Sequence, residues 1–438
     1  MSIFSRIKKL VASLVLSVTI LVSAATAKSP GSNKGDGPKD KPVPVQIDEY
    51  PGRTNGKIPG LTVMTADQDE DEIHPSLSLI WHNMQVLKES GTVMGPEIYD
   101  FSVDAKVLFC RDTVAGADWD AKKYISQLSP DTAAIVQKAL TDLGYTGVSN
   151  APTVATWQDD KGLVTIGPIK DTGFVLIAQA HELIHGIQRT TGVKKTDRAW
   201  PIWTYQAALL SYEAAPKAAE KIIAIEMLLA DQKKVGPFMH CLAEDKDGMG
   251  AASSIFTTAY KNGSSYSEAL EKAGSYAFCR QFKAQWWLDA YNETVFYRYF
   301  EWALKGELKP QSDKKYSLKK IRKTGYVSED FNLTAKVDSL PSNLFGSNDA
   351  MRQAFDWVNL LHIEKTAGKE SAAYKTTLKK LEERANPYLG IDPRILYLTL
   401  DASNCTLPLA SVLNYYASCN KTAPANDVQH MRVPKYKY

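Results

Sequence analysis

The sequence predicts an α+β protein that is mainly helical. Apolar residues recur at helical spacing in long segments between residues 77 and 386, whereas only two short runs, 107–110 and 162–169, read as strands. The composition, 44% apolar and 23% charged over 438 residues, is that of a globular chain long enough for two or three domains. The strands are too few for a sandwich or a doubly wound sheet, so the expectation is a small β-sheet packed on helices.

The first 27 residues read as an export signal. Arg6, Lys8 and Lys9 form a positive start, residues 10–22 an apolar run, and Ala25-Thr26-Ala27 a small-x-small cleavage site. The apolar run is short of the roughly 20 residues of a bilayer span. No later segment is long and apolar enough to replace it, so no integral membrane span is expected, and the protein is read as exported, periplasmic or secreted. Lys and Arg number 52 against 49 Asp and Glu, and the signal holds three of those bases and no acid. The remainder is balanced at 49 against 49, which removes any bulk electrostatic attraction to nucleic acid.

Residues 28–60 contain six Pro and six Gly and cannot bury a core; they read as a linker. Order is expected from about Leu61, with a first domain over 61–244 and a helical C-terminal domain over 245–438. The acidic run 67–72 reads as a solvated loop. Leu77, Ile80, Met84 and Leu87 mark a helix. Residues 107–110 form a buried strand, and 134–143 a helix capped by Asp131 or Thr132 and stopped at Gly144. A strand over 162–169 leads into a helix from Thr172 that is apolar on most sides, through Leu183, Ile184 and Ile187.

A second long helix runs over 204–230, broken at Pro216. Aromatic-rich helices fill 266–304, where Trp286, Trp287, Tyr291, Phe296, Tyr297, Tyr299, Phe300 and Trp302 read as core. Lys314, Lys315, Lys319, Lys320, Arg322 and Lys323 read as a solvated face, and further helices cover 350–365 and 370–386. His362, alone on an apolar helix, reads as structural. Of five cysteines, Cys405 with Cys419 and Cys241 with Cys279 are pairs that export would permit, leaving Cys110; spacing does not decide among pairings. No Cys-x-x-Cys occurs.

One motif carries chemistry. His181-Glu182-Leu183-Ile184-His185 lies inside the apolar helix from Thr172. Residues four apart share a helix face, so both imidazoles can reach one zinc ion at about 2.0–2.1 Å. Glu182 follows the first ligand and is placed to act as general base and then general acid on a water attacking a carbonyl. Two His and a Glu are costly to bury in an apolar helix without such a purpose.

With this motif the chain resembles the zincin metallopeptidases, strongly over the motif helix and loosely over the preceding strand. A third His after His185 is missing, since the text continues Gly186-Ile187-Gln188-Arg189-Thr190-Thr191-Gly192. The resemblance is therefore to the gluzincins, in which a Glu from the following helix completes the zinc site. That helix offers Glu213, Glu220 and Glu226. Glu213 and Glu220 share a face about 10 Å apart, so only one ligates the ion, and Glu226 faces away. Glu213 follows Ala207, Ala208, Leu209 and Leu210, whereas Glu220 lies between Lys217 and Lys221 as on a solvated face. Glu213 is the expected ligand and Glu220 the alternative.

A narrower resemblance, carried by Tyr212-Glu213-Ala214-Ala215, Ala218, Ala224 and Glu226, is to a bacterial family of metallopeptidase-like domains of unassigned function. Its Glu-Ala-Asp-Ala run has Ala215 and Pro216 in place of the Asp and second Ala, and Lys217 stands where gluzincins often carry an Asp. No carboxylate that orients a ligating His is thereby identified, and Tyr205, Tyr212 and His240 are left without a role as helper of the transition state. The resemblance implies hydrolysis of peptide bonds in a protein or peptide substrate. The rival expectation is a non-catalytic cell-envelope binding or scaffolding protein on the same helix pair, with the aromatic C-terminal half as its working surface.

Overall fold

The computed structural model describes residues 61–63, 83–89 and 93–422, the last span with breaks at 106, 113–118, 146–147, 150–154, 159–161, 167–171, 194–196, 231–245, 313–315, 340–341 and 404–405. The export signal, the linker, the acidic run, Leu77, Ile80, His240, Cys241 and Cys405 lie outside the described residues. The fold is α+β and mainly α.

In chain order the N-terminal part comprises β1 (Leu61–Val63), α1 (83–89), α2 (Met94–Asp104), β2 (Leu108–Asp112), β3 (Trp119–Asp120), α3 (Ala121–Ile125), α4 (Pro130–Asp142), β4 (Val148–Ser149), β5 (Ala155–Gln158), β6 (Leu163–Ile166), α5 (Thr172–Thr190) and α6 (Ile202–Ala230). Then follow α7 (Lys246–Lys261), α8 (Tyr266–Gln281), α9 (Gln285–Lys305), α10 (Leu318–Thr324), β7 (Tyr326–Ser328), β8 (Phe331–Asn332), α11 (Asp349–Ala367), α12 (Ala372–Glu383), α13 (Pro393–Ala402) and α14 (Leu409–Thr422).

Four strands form a mixed sheet in the order β1-β2-β6-β5, in which β2 and β6 run parallel and the outer pairs antiparallel. β6 is an interior strand, and all four of its residues are buried. A strand covered on both faces does not alternate in burial. β3 with β4 and β7 with β8 make two further antiparallel pairs.

Helix α4 begins earlier than 134. Ser129 occupies the cap position and Pro130 the first turn, where a missing N–H costs nothing. Asp131 and Thr132 lie inside that turn, and the Ser129 hydroxyl donates to Thr132 Oγ1 at 2.9 Å. Gly144, with φ of 73°, closes the helix as expected.

Helix α5 lies against β5 and β6, α2, α6 and β7. Residues 175–188 are buried on every side, which explains their nearly continuous apolar text. Helix α6 is continuous through Pro216, contrary to the expected break. Burial of almost the whole helix, from Ile202 to Met227, holds it together across the missing hydrogen bond.

Two apolar clusters form the core. One joins Val164, Leu176, Ile184 and Ile222 to Phe256, Leu270, Val327 and Phe331. The other joins Trp200, Leu209 and Ala215 to Phe278, Trp287, Phe296, Phe355 and Leu413. Both straddle residue 245, and α6 enters both, its first half in the second cluster and its last turns in the first. Trp287, Phe296, Tyr299 and Phe300 are fully buried core residues, whereas Trp286 stands out at 69% exposure. His362 is buried, its Nε2 donating to the Lys309 carbonyl at 2.7 Å beside the Tyr299 hydroxyl. Burial holds its pKa below the ordinary value, consistent with a neutral structural imidazole. Cys279 is a free thiol. Among the described residues no helix is long and apolar enough to cross a membrane.

Candidate metal centre

The two imidazoles come from one face of α5 and the carboxylate from α6, which packs against it. His181, His185 and Glu213 each bring one ligand atom into a cluster in which all three lie within 4.8 Å of one another. Glu213 Oε2 is 3.2 Å from His185 Nε2 and 3.8 Å from His181 Nε2. A tetrahedral ion with bonds of about 2.0–2.2 Å separates its ligand atoms by about 3.4 Å, so these separations suit one. All three side chains are buried, and this group can hold a metal ion.

Both rings are held from behind. His181 Nδ1 bonds Glu220 Oε1 at 2.7 Å, and Glu220 in turn accepts from Lys217 Nζ at 2.9 Å. His185 Nδ1 bonds Gln188 Oε1 at 2.9 Å, and the Tyr212 ring lies flat on the His185 ring at 4.4 Å between centroids. Partners on Nδ1 leave both Nε2 atoms facing Glu213, as metal-ligating imidazoles require.

Glu220 therefore stands outside the three-residue group and is not on a solvated face. It is the carboxylate behind His181 that the sequence did not identify. Its lysine neighbours misled because α6 has almost no solvated side; the half-buried Lys217 reaches in to the buried Glu220. Burial would raise the Glu220 pKa, but Lys217 and His181 outweigh it and lower it. Burial likewise opposes protonation of His181, yet its bonds to Glu213 and Glu220 prevail and raise its pKa to about 9. Glu226 does a different job. Its two oxygens accept from the Val93 and Met94 amides at 3.0 and 2.8 Å and satisfy the start of α2.

Glu182 is buried beside His181 and makes no hydrogen bond or ion pair among the described residues. Tyr205 packs on Tyr299 and Trp302 within the second cluster. Tyr291, on α9, is the residue that sequence reasoning assigned to core. It faces the charges of Glu213, Glu220 and Glu182. Burial first, and then those charges, hold its pKa well above the phenol range, so it remains an O–H donor. In comparison with family models, curated proteins and solved structures, nothing matches this chain, and what the site can do rests on its own geometry.

Proposed function

We propose that the chain is an exported zinc-dependent metallopeptidase that hydrolyses peptide bonds. The observation that carries this reading is the convergence of two Nε2 atoms and one carboxylate oxygen, with Glu182 adjacent and uncommitted. Two imidazoles and a carboxylate suit zinc, and three protein ligands are the number that leaves a catalytic position open. Zinc bound there would supply Lewis acidity and a water of lowered pKa. Glu182 accepts the proton of the attacking water and returns it to the leaving amine nitrogen. Tyr291 offers its O–H to the oxygen on which charge develops.

The reading is tested by the zinc stoichiometry of the mature protein together with hydrolysis of a peptide library. One zinc per chain and a cleaved bond are expected; zinc-free protein after careful loading would overturn it. Peptide binding without any hydrolysis would favour the scaffolding alternative. Tyr291→Phe is expected to keep zinc and lower kcat by about 10²–10³-fold, as when one oxyanion donor is removed. Steady-state kinetics beside metal analysis checks this.

Zinc uptake should also release a proton at pH 7. In the metal-free chain His181, with a pKa of about 9, is protonated, and a ligand must be bare. Zinc affinity should rise about tenfold per pH unit up to about pH 9 and then flatten. The stability this group gives the metal-free chain runs the other way. It is complete below the unfolded histidine value and lost as pH rises through about 9. Calorimetry of zinc binding in buffers of different ionisation enthalpy counts the proton.

A further inference from the structure

We propose that Gln188 is a positioning residue that holds His185 for the metal and ties the metal centre to the C-terminal half of the chain. The proposal rests on the metal-site reading above and adds what governs its affinity. Gln188 is fully buried, three residues past His185 on α5. Its amide nitrogen donates to two carbonyls, that of Tyr212 at 2.9 Å and that of Thr324 at 2.8 Å. Carbonyls only accept, so this fixes which end of the amide is nitrogen. The remaining atom, Oε1, faces His185 Nδ1 at 2.9 Å and obliges that nitrogen to carry the proton. Nε2 is left as the ligand atom, on the side of Glu213.

Neither carbonyl is an arbitrary partner. In a helix the carbonyl of residue 212 takes its bond from the N–H of residue 216, and here residue 216 is Pro216 inside α6. Pro216 has no N–H to offer the Tyr212 carbonyl, and Gln188 donates to it. Thr324 is the last residue of α10, where carbonyls lack helical donors. Gly325 then passes so close to Thr334 that a Cβ on it would lie 2.5 Å from the Thr334 hydroxyl. A side chain at residue 325 would therefore have to push aside the backbone that follows the Thr324 carbonyl. The same Tyr212 stacks on the His185 ring, so edge and face of the ligand are set together.

The test uses the full mature chain with ¹⁵N-labelled histidine. In the wild type, His185 should show a slowly exchanging, downfield Nδ1–H proton, a signal that a merely structural role for Gln188 does not require. In Gln188→Met, similar in volume, that proton should exchange freely, and zinc affinity by chelator competition should fall about 10–100-fold. Gly325→Ala, remote from the metal, should weaken zinc in the same direction by a smaller factor. A His185 ring protonated only at Nε2 in the wild type overturns the proposal and needs no variant. Unchanged zinc affinity in Gln188→Met, with zinc bound by the wild type, also overturns it. Absence of zinc from the wild type instead overturns the metallopeptidase reading, and the wild-type Nδ1–H signal then decides whether Gln188 holds the ring.

Discussion

Glu182→Gln is expected to lower kcat by about 10²–10⁴-fold while the chain keeps its zinc, because an amide cannot take the proton of the attacking water. The substitution is nearly isosteric, and Glu182 has no bonding partner among the described residues, so the fold loses nothing by it. The ligand atoms belong to His181, His185 and Glu213, so metal content should match the wild type. KM should change little, since the lost interaction belongs to the transition state. Steady-state kinetics on a cleaved peptide, with elemental analysis of the same preparations, gives the result. Retained turnover would remove Glu182 from the chemistry.

Glu213→Ala has the opposite signature. It deletes the one anionic ligand, and two imidazoles alone should hold zinc at least about 100-fold more weakly. Activity then disappears through loss of the metal. Glu220→Ala is the informative partner: it leaves all three ligand atoms in place and removes the acceptor behind His181. Its expected cost is the smaller 10–100-fold of an outer partner. It also deprives the buried His181 and the half-buried Lys217 of their shared carboxylate, so thermal stability should fall as well. Chelator competition and thermal unfolding, run on both variants, separate the two roles. Equal zinc loss in both would return Glu220 to candidacy as the ligand.

The fold class and the core of the site were legible because they are local. The spacing of His181 and His185 is a property of one helix, and the apolar text around them announced its burial. Glu213 was reached by weighing its apolar neighbours against the lysines around Glu220. The same weighing misplaced Glu220, since a lysine at the rim of a buried helix face can pair with a carboxylate that lies inside it. Gln188 left a faint signal, a polar residue one turn past His185 in an otherwise buried stretch. Its importance depends on carbonyls 24 and 136 residues away, which no local pattern announces. Tyr291 was hidden among aromatic neighbours; periodicity predicts that a ring is packed, not that it faces carboxylates on other helices. Pro216 was read as a break because propensity is local, whereas the packing that preserves α6 is not.

Helix α6 carries a consequence for the order in which the chain is made. A ribosome delivers residues 61–230, with His181, His185 and Glu213, well before Phe278, Trp287, Phe296 and Phe355, on which the first half of α6 packs. The Thr324 carbonyl that holds Gln188 emerges later still. A nascent chain halted before residue 324 holds His181, His185 and Glu213 and lacks the carbonyl that anchors Gln188. A metal site built this way would be completed only once residue 324 has been made, and a product terminated earlier would carry the motif without the anchor behind it.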